Sequence, residues 1–159
     1  MEHYCRLSGL KDEQAAKSVT SNTGKSDSEC GRQEHIDEIF DGLGLTSHKD
    51  TIVGDVFLKG LSGGQKRRLS VALEALSSPK NFFLDEPTSG LDSESAYQLM
   101  KFLKAYVNEA KGRRVILTIH QPSSIIWSLI DNVVLLSKGH LVYQGPRQNI
   151  EEFFAHCGR

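Results

Sequence analysis

The sequence predicts an α/β fold with a largely parallel sheet, and two observations carry that expectation. From Phe82 onward the chain alternates strand, helix, strand, short helix, strand, strand, helix. Helices interleaved with strands are how a parallel sheet is wound. The first of these strands, Phe82-Phe83-Leu84, runs directly into Asp85 and Glu86. Ligands in such folds sit at the carboxyl ends of the strands.

The elements follow in order. Residues 1 to 16 have no clear period and suggest one short helix. Lys17 to Arg32 is rich in Ser, Thr, Gly and charge; too apolar-poor for a packed core, it reads as a solvated loop or insertion. Ile36, Ile39, Phe40 and Leu43 then recur at helical spacing, with Gly42 and Gly44 as the stop. A second helix, Gln65 to Ser77, places Leu69, Ala72, Leu73 and Leu76 on one side and ends at Ser77-Ser78-Pro79. After the strand at Phe82, Asp92 or Ser93 caps a helix through Met100, Leu103 and Val107 to Gly112. Val115 to Ile119 reads as a buried strand, and Ser123 or Ser124 caps a short helix carrying Ile126, Trp127 and Ile130. Val133 to Leu136 and Leu141 to Tyr143, joined by Lys138-Gly139, read as a hairpin. Ile150 to His156 closes the chain as a helix.

Bulk properties narrow the function classes. The 159 residues fit one domain, with 38% hydrophobic and 25% charged residues, and the formal net charge is −1. That balance gives no electrostatic case for a nucleic-acid or acidic-membrane surface. Three cysteines, Cys5, Cys30 and Cys157, are odd in number and widely spaced, which suggests a reducing compartment rather than a disulfide framework. No apolar run approaches the roughly 18 residues of a membrane span, and the first six residues lack a signal-peptide core.

Two motifs carry chemistry. Leu61-Ser62-Gly63-Gly64-Gln65 is a glycine-rich turn opening a helix: Ser62 caps it, and Gly63 and Gly64 let backbone N–H groups approach an anion favoured by the helix dipole. A capped surface helix would explain Ser62 but not two successive glycines. Phe82 to Glu86 is an apolar strand ending in two acids. It resembles the Walker B strand, in which Asp85 would hold Mg2+ and Glu86 would act as general base on an attacking water. His120 ends the strand that begins at Val115, and Ser89-Gly90-Leu91-Asp92 is a turn with a helix cap.

Signature turn, helix, acidic strand, Ser-Gly-Leu-Asp, strand and His, in that order, resemble the nucleotide-binding domain of ATP-binding cassette proteins. The resemblance spans about Gln33 to Arg159. It likens Leu61 to Gln65 to the signature motif, Asp85 and Glu86 to Walker B and its catalytic glutamate, Ser89 to Asp92 to the D-loop, and His120 to the switch histidine. His120-Gln121-Pro122-Ser123-Ser124, Asp131 to Gly139, Tyr143-Gln144-Gly145-Pro146 and Phe153-Phe154 further resemble the G subfamily, of the white or eye-pigment type.

That resemblance implies the C-terminal part of a P-loop NTPase-like (RecA-like) sheet. It implies an α-helical signature subdomain over residues 1–78, with a polar insertion at about 17–32, and the ATPase core over 79–159. It implies ATP and Mg2+ as cofactors, with Asp85 on the metal, Glu86 and His120 catalytic, and Ser62, Gly63, Gly64, Gln65 and Asp92 binding nucleotide. Its partners would be a second nucleotide-binding domain, head to tail, and a transmembrane domain following in the full-length protein, at the cytoplasmic face of a membrane. No nucleic acid is implied.

The family's phosphate loop, Gly-x-x-x-x-Gly-Lys-Ser/Thr, has no match here. Gly24-Lys25-Ser26 is tempting, but Val19 stands where the first glycine belongs, no apolar strand precedes it, and no apolar helix follows. The Q-loop is not recognisable, although Tyr4-Cys5-Arg6-Leu7 resembles the segment after it. The chain is therefore expected to turn over no Mg-ATP alone. Alternatives are a soluble cassette ATPase of translation or DNA repair, or a non-catalytic fragment. Neutral charge, absent heptads and the G-type runs count against the soluble ATPase.

Overall fold

The computed structural model describes residues 3–8, 25–54, 58 and 60–158, with backbone only at 3–8 and 25–30. The chain divides into two compact units, Met1–Gly9 with Pro79–Arg159, and Leu10–Ser78.

The first unit is built on a five-stranded sheet. Its strands are β1 (His3–Ser8), β2 (Asn81–Leu84), β3 (Arg114–Ile119), β4 (Asn132–Ser137) and β5 (His140–Pro146), in the order β2-β3-β1-β4-β5. β2 and β3 run parallel, with Leu84 beside Leu117. The crossover between them is α3 (Ser93–Glu109), as the alternation predicts. β1 is antiparallel to both β3 and β4, and β5 folds back on β4, so the sheet is mixed. The β4–β5 hairpin turns through Lys138 (φ 49°) and Gly139 (φ 77°). Two positive φ values in a two-residue loop match the right-handed twist of the strands.

His3–Ser8 corrects the expectation of a short helix in residues 1 to 16. Six residues carry too little period to read, and the strand owes its form to partners more than 100 positions away in the chain: His3 lies opposite Ile119 and Leu135. Pairing, rather than local propensity, decides such a segment.

One face of α3 forms the core of this unit. Leu99, Met100 and Leu103 are fully buried, as are Val115, Leu117 and Val133 of the sheet. Phe82 meets Tyr106 edge-on at a centroid distance of 5.8 Å, and the Tyr106 hydroxyl donates to the Pro79 carbonyl at 2.8 Å. Burial raises the Tyr106 phenol above its ordinary pKa; Arg113 opposes this and Glu109 adds to it. Asp92 caps α3, Ser123 caps α4 (Ser124–Leu129), and α5 (Ile150–Cys157) ends the chain. The apolar strand at Phe82 is buried on one side only: Phe82 is 4% exposed and Phe83 69%. β2 is the end strand of the described sheet, and period-2 alternation sends every second side chain to the open face.

The second unit holds α1 (Lys25–Gly42) and α2 (Gly63–Leu76). α1 begins within the stretch expected to be a solvated loop, so residues 25–32 are helical; the remainder of that proposed insertion lies outside the described residues. A helix can extend into polar sequence because its backbone bonds close internally and need no apolar face there. Downstream, Ile39 and Leu43 are buried and Gly44 takes φ 63°, which ends the helix as predicted.

The buried stripe of α2 is Arg68, Val71, Ala72 and Ala75, while Leu73 is 60% exposed. The spacing is helical but displaced by one position from the leucine stripe that the sequence suggested. An arginine holds the inner position because its guanidinium donates to the Leu43 carbonyl at 2.9 Å, satisfying the end of α1, while its stem packs as an apolar side chain.

Candidate functional site

In the first unit the acidic strand end is organised by one hydroxyl. Thr118 Oγ1 donates to Asp85 Oδ1 at 2.6 Å and accepts the backbone N–H of Glu86 at 2.7 Å. The parallel register explains the meeting, since Leu84 pairs with Leu117 and the next residues are Asp85 and Thr118. Glu86 sits at φ 42°, a left-handed conformation unusual for a residue with a Cβ. The bond to Thr118 and the turn closed from Ser89 N–H to the Glu86 carbonyl (3.1 Å) hold it there. Both acids are exposed. A concavity of about 370 Å³ lies beside them, lined by Phe83, Leu84, Asp85, Ile116, Leu117 and Thr118.

His120 is exposed just past the end of β3 and is followed by Gln121 at φ 47°. A second left-handed residue at the mouth of the parallel pair belongs to the class of backbone strain that clusters at functional sites. Asp92 is engaged as a cap: its Oδ1 accepts the Ser95 N–H at 3.0 Å. That backbone bond first, then the Ser95 hydroxyl, holds its carboxyl below the ordinary range, against a small opposing effect of burial.

The other predicted residues lie in the second unit. Ser62 Oγ accepts the Gln65 N–H at 3.2 Å, and Gln65 Oε1 accepts the Ser62 N–H at 2.8 Å, a reciprocal capping box at the start of α2. Gly63 occupies the first helical turn, and a Cβ placed on it would meet nothing within 4 Å. Glycine weakens a helix by roughly 0.5–1 kcal/mol relative to alanine, so no internal packing accounts for it. The space above it is open to whatever approaches the helix end.

The loop leading into this turn carries no recognisable motif in the sequence. A Cβ on Gly54 would fall 2.5 Å from the Leu58 carbonyl oxygen and 2.7 Å from Gly60 Cα, and one on Gly60 would fall 2.5 Å from the Ile52 carbonyl oxygen. Two backbone segments therefore cross in contact, closed by Leu61 N–H on the Ile52 carbonyl (3.2 Å), and Lys66 Nζ donates to the Gly54 carbonyl at 3.0 Å. Two glycines six apart were the available signal.

The family model described as ABC transporter matches residues 7–89, just over half of the chain. The chain belongs to the ABC transporter family. A second model, described as ABC-2 type transporter, matches residues 120–159. ABC transporter G family member 1 of Petunia hybrida is 47% identical over 82% of this chain and 20% of its own length. G family member 11 of Arabidopsis thaliana is 50% identical over 73% and 16%. The broad substrate specificity ATP-binding cassette transporter of Mus musculus is 42% identical over 80% and 19%. Members of the G family thus stand among the relatives, as the resemblance implies.

A solved structure of cbiO1 from Clostridium perfringens, part of the ABC transporter complex cbiONQ, superposes with a TM-score of 0.58 at 28% identity. It covers 78% of this chain and 47% of that one. The α/β fold of an ABC ATPase follows, and the matched region is ATP-binding-domain sequence of a membrane transporter family. The chain spans between a tenth and a fifth of the length of the curated relatives it matches. Among the described residues no helix is long and apolar enough to cross a membrane.

The residues of this ABC chain fit a hydrated Mg2+ at Asp85. Among the described residues no three His, Cys, Asp or Glu side chains gather into a metal cage. Mg2+ is ordinarily held by one or two carboxylates, waters and substrate phosphates rather than by an all-protein shell. The hard oxygens of Asp85 and Thr118, at an open strand end, suit that mode.

Proposed function

We propose that this chain is the part of an ABC transporter's ATP-binding domain that contributes Walker B, the switch histidine and the signature motif, and that it works as one partner of a head-to-tail pair. The observation that supports it most is Thr118, whose single hydroxyl fixes both Asp85 and the backbone of Glu86 at the carboxyl end of the parallel strands. Asp85 would hold Mg2+ through water. When bound, that ion neutralises charge on the phosphates. Glu86, presented by a strained backbone, would take a proton from the attacking water, and His120 would face the γ-phosphate. Ser62, Gly63, Gly64 and Gln65 would contact a nucleotide held by the partner, where the open N-terminus of α2 favours negative charge. Asp92 would serve at the same interface beside its capping role. In the full-length protein a transmembrane domain would be the mechanical partner, on the cytoplasmic face of a membrane.

The test is association. The chain is mixed with an intact nucleotide-binding domain of the same family, with and without Mg-ATP, and followed by analytical ultracentrifugation. A complex that forms only with ATP and is lost on Ser62→Arg supports the reading. Its absence for the wild-type chain rejects it. The chain alone is expected to release no phosphate from Mg-ATP. Release that disappears with Glu86→Gln would overturn that expectation.

A further inference from the structure

The capping box at Ser62 is one link of a longer chain of hydrogen bonds. His48 ends a short 3-10 turn, Thr46–His48, that follows α1. Its Nε2 lies 2.6 Å from Gln65 Nε2, and its Nδ1 lies 2.8 Å from Ser47 Oγ.

The donor directions in this chain are determined. The Ser62 backbone N–H can only donate, so the oxygen of the Gln65 amide must face it at 2.8 Å. The NH2 end of the same amide then faces His48. An NH2 group only donates, so His48 Nε2 must be the unprotonated acceptor. The ring proton of a neutral imidazole therefore sits on Nδ1 and is donated to Ser47 Oγ. Four groups, Ser47, His48, Gln65 and Ser62, are locked in one sense.

We infer that His48 is a positioning residue of the signature turn: by accepting from Gln65 Nε2 it fixes the glutamine amide, and through it the backbone N–H of Ser62. This rests on the reading of residues 62–65 as a nucleotide contact. Gln65 is the side chain with most freedom in that turn. Without an acceptor at His48 its amide can rotate, and the orientation that turns NH2 toward Ser62 N–H sets two donors against each other. The reciprocal half of the capping box then opens, at the residues proposed to meet a phosphate.

The experiment uses the 159-residue chain. Long-range proton–nitrogen spectra in mildly alkaline buffer read the His48 tautomer directly, and Nε2 is expected to be the unprotonated nitrogen. A protonated Nε2 overturns the inference without any variant. Amide exchange at Ser62 is then compared in His48→Leu, which removes the acceptor, and His48→Gln, whose oxygen can stand near the Nε2 position. His48→Leu is expected to speed exchange about tenfold, the scale of one hydrogen bond, and His48→Gln to restore it. Unchanged exchange in His48→Leu overturns the inference, as does equal acceleration in both variants, the mark of a merely steric role.

ATP-dependent association with an intact nucleotide-binding domain is measured beside this. It is expected to weaken about tenfold in His48→Leu and to recover in His48→Gln. If the wild-type chain does not associate, the reading of residues 62–65 fails while the exchange data still decide the role of His48. If it associates and His48→Leu associates equally well, the positioning role fails and the reading stands.

Discussion

Gly63 separates the needs of the fold from the needs of the site. Among the described residues nothing requires a missing side chain there, so Gly63→Ala should stabilise the isolated protein by about 0.5 kcal/mol in urea unfolding. The same substitution should abolish ATP-dependent association with an intact domain. Thr118 shows the converse, because its hydroxyl holds both acids. Thr118→Val should cost about 1 kcal/mol by the same unfolding measurement, and Thr118→Ser should cost almost nothing. Asp92 supplies a pH dependence. Its folded carboxyl lies below the ordinary range because the Ser95 N–H bonds its charged form. A depressed pKa stabilises the fold above the unfolded value, about 4, and that contribution drains away as pH falls through the folded value. Asp92→Asn keeps a cap but not the titration. The difference in melting temperature between the two proteins should therefore shrink in acid.

At the scale of elements, α3 carries the first unit. Leu99, Met100 and Leu103 are completely buried on one helix face. Leu99→Ala should cost about 2–5 kcal/mol in calorimetric unfolding, far more than Leu73→Ala at an exposed position. The elements also show what could be read in advance. α3, β3 and the β4–β5 hairpin announce themselves through caps, turns and local periodicity, all of which act within a few residues. β1 does not, because its form is set by strands far along the chain. The buried face of α2 lies one position from its leucine stripe, because Arg68 reads as a surface residue in sequence while its guanidinium in fact reaches the Leu43 carbonyl. The site divides along the same line. Asp85, Glu86, His120 and the Ser62–Gln65 turn stand out as motifs, whereas Thr118 and His48 become visible only when the register of β2 on β3 and the turn after α1 bring them to their partners.

For the molecule as a whole, the two units hold the proposed site residues separately, Asp85, Glu86 and His120 in one and the Ser62–Gln65 turn in the other. The segment between α1 and α2 therefore bears on the Ser62–Gln65 turn more than its plain composition suggests. Gly54 and Gly60 cross with no room for a single carbon between their backbones. Gly60→Ala should destabilise the second unit by more than about 1 kcal/mol, read by urea unfolding. Every amino acid other than glycine brings a Cβ. At these two codons, then, no missense change is conservative: the genetic code offers only synonymous variation or a side chain that has no room.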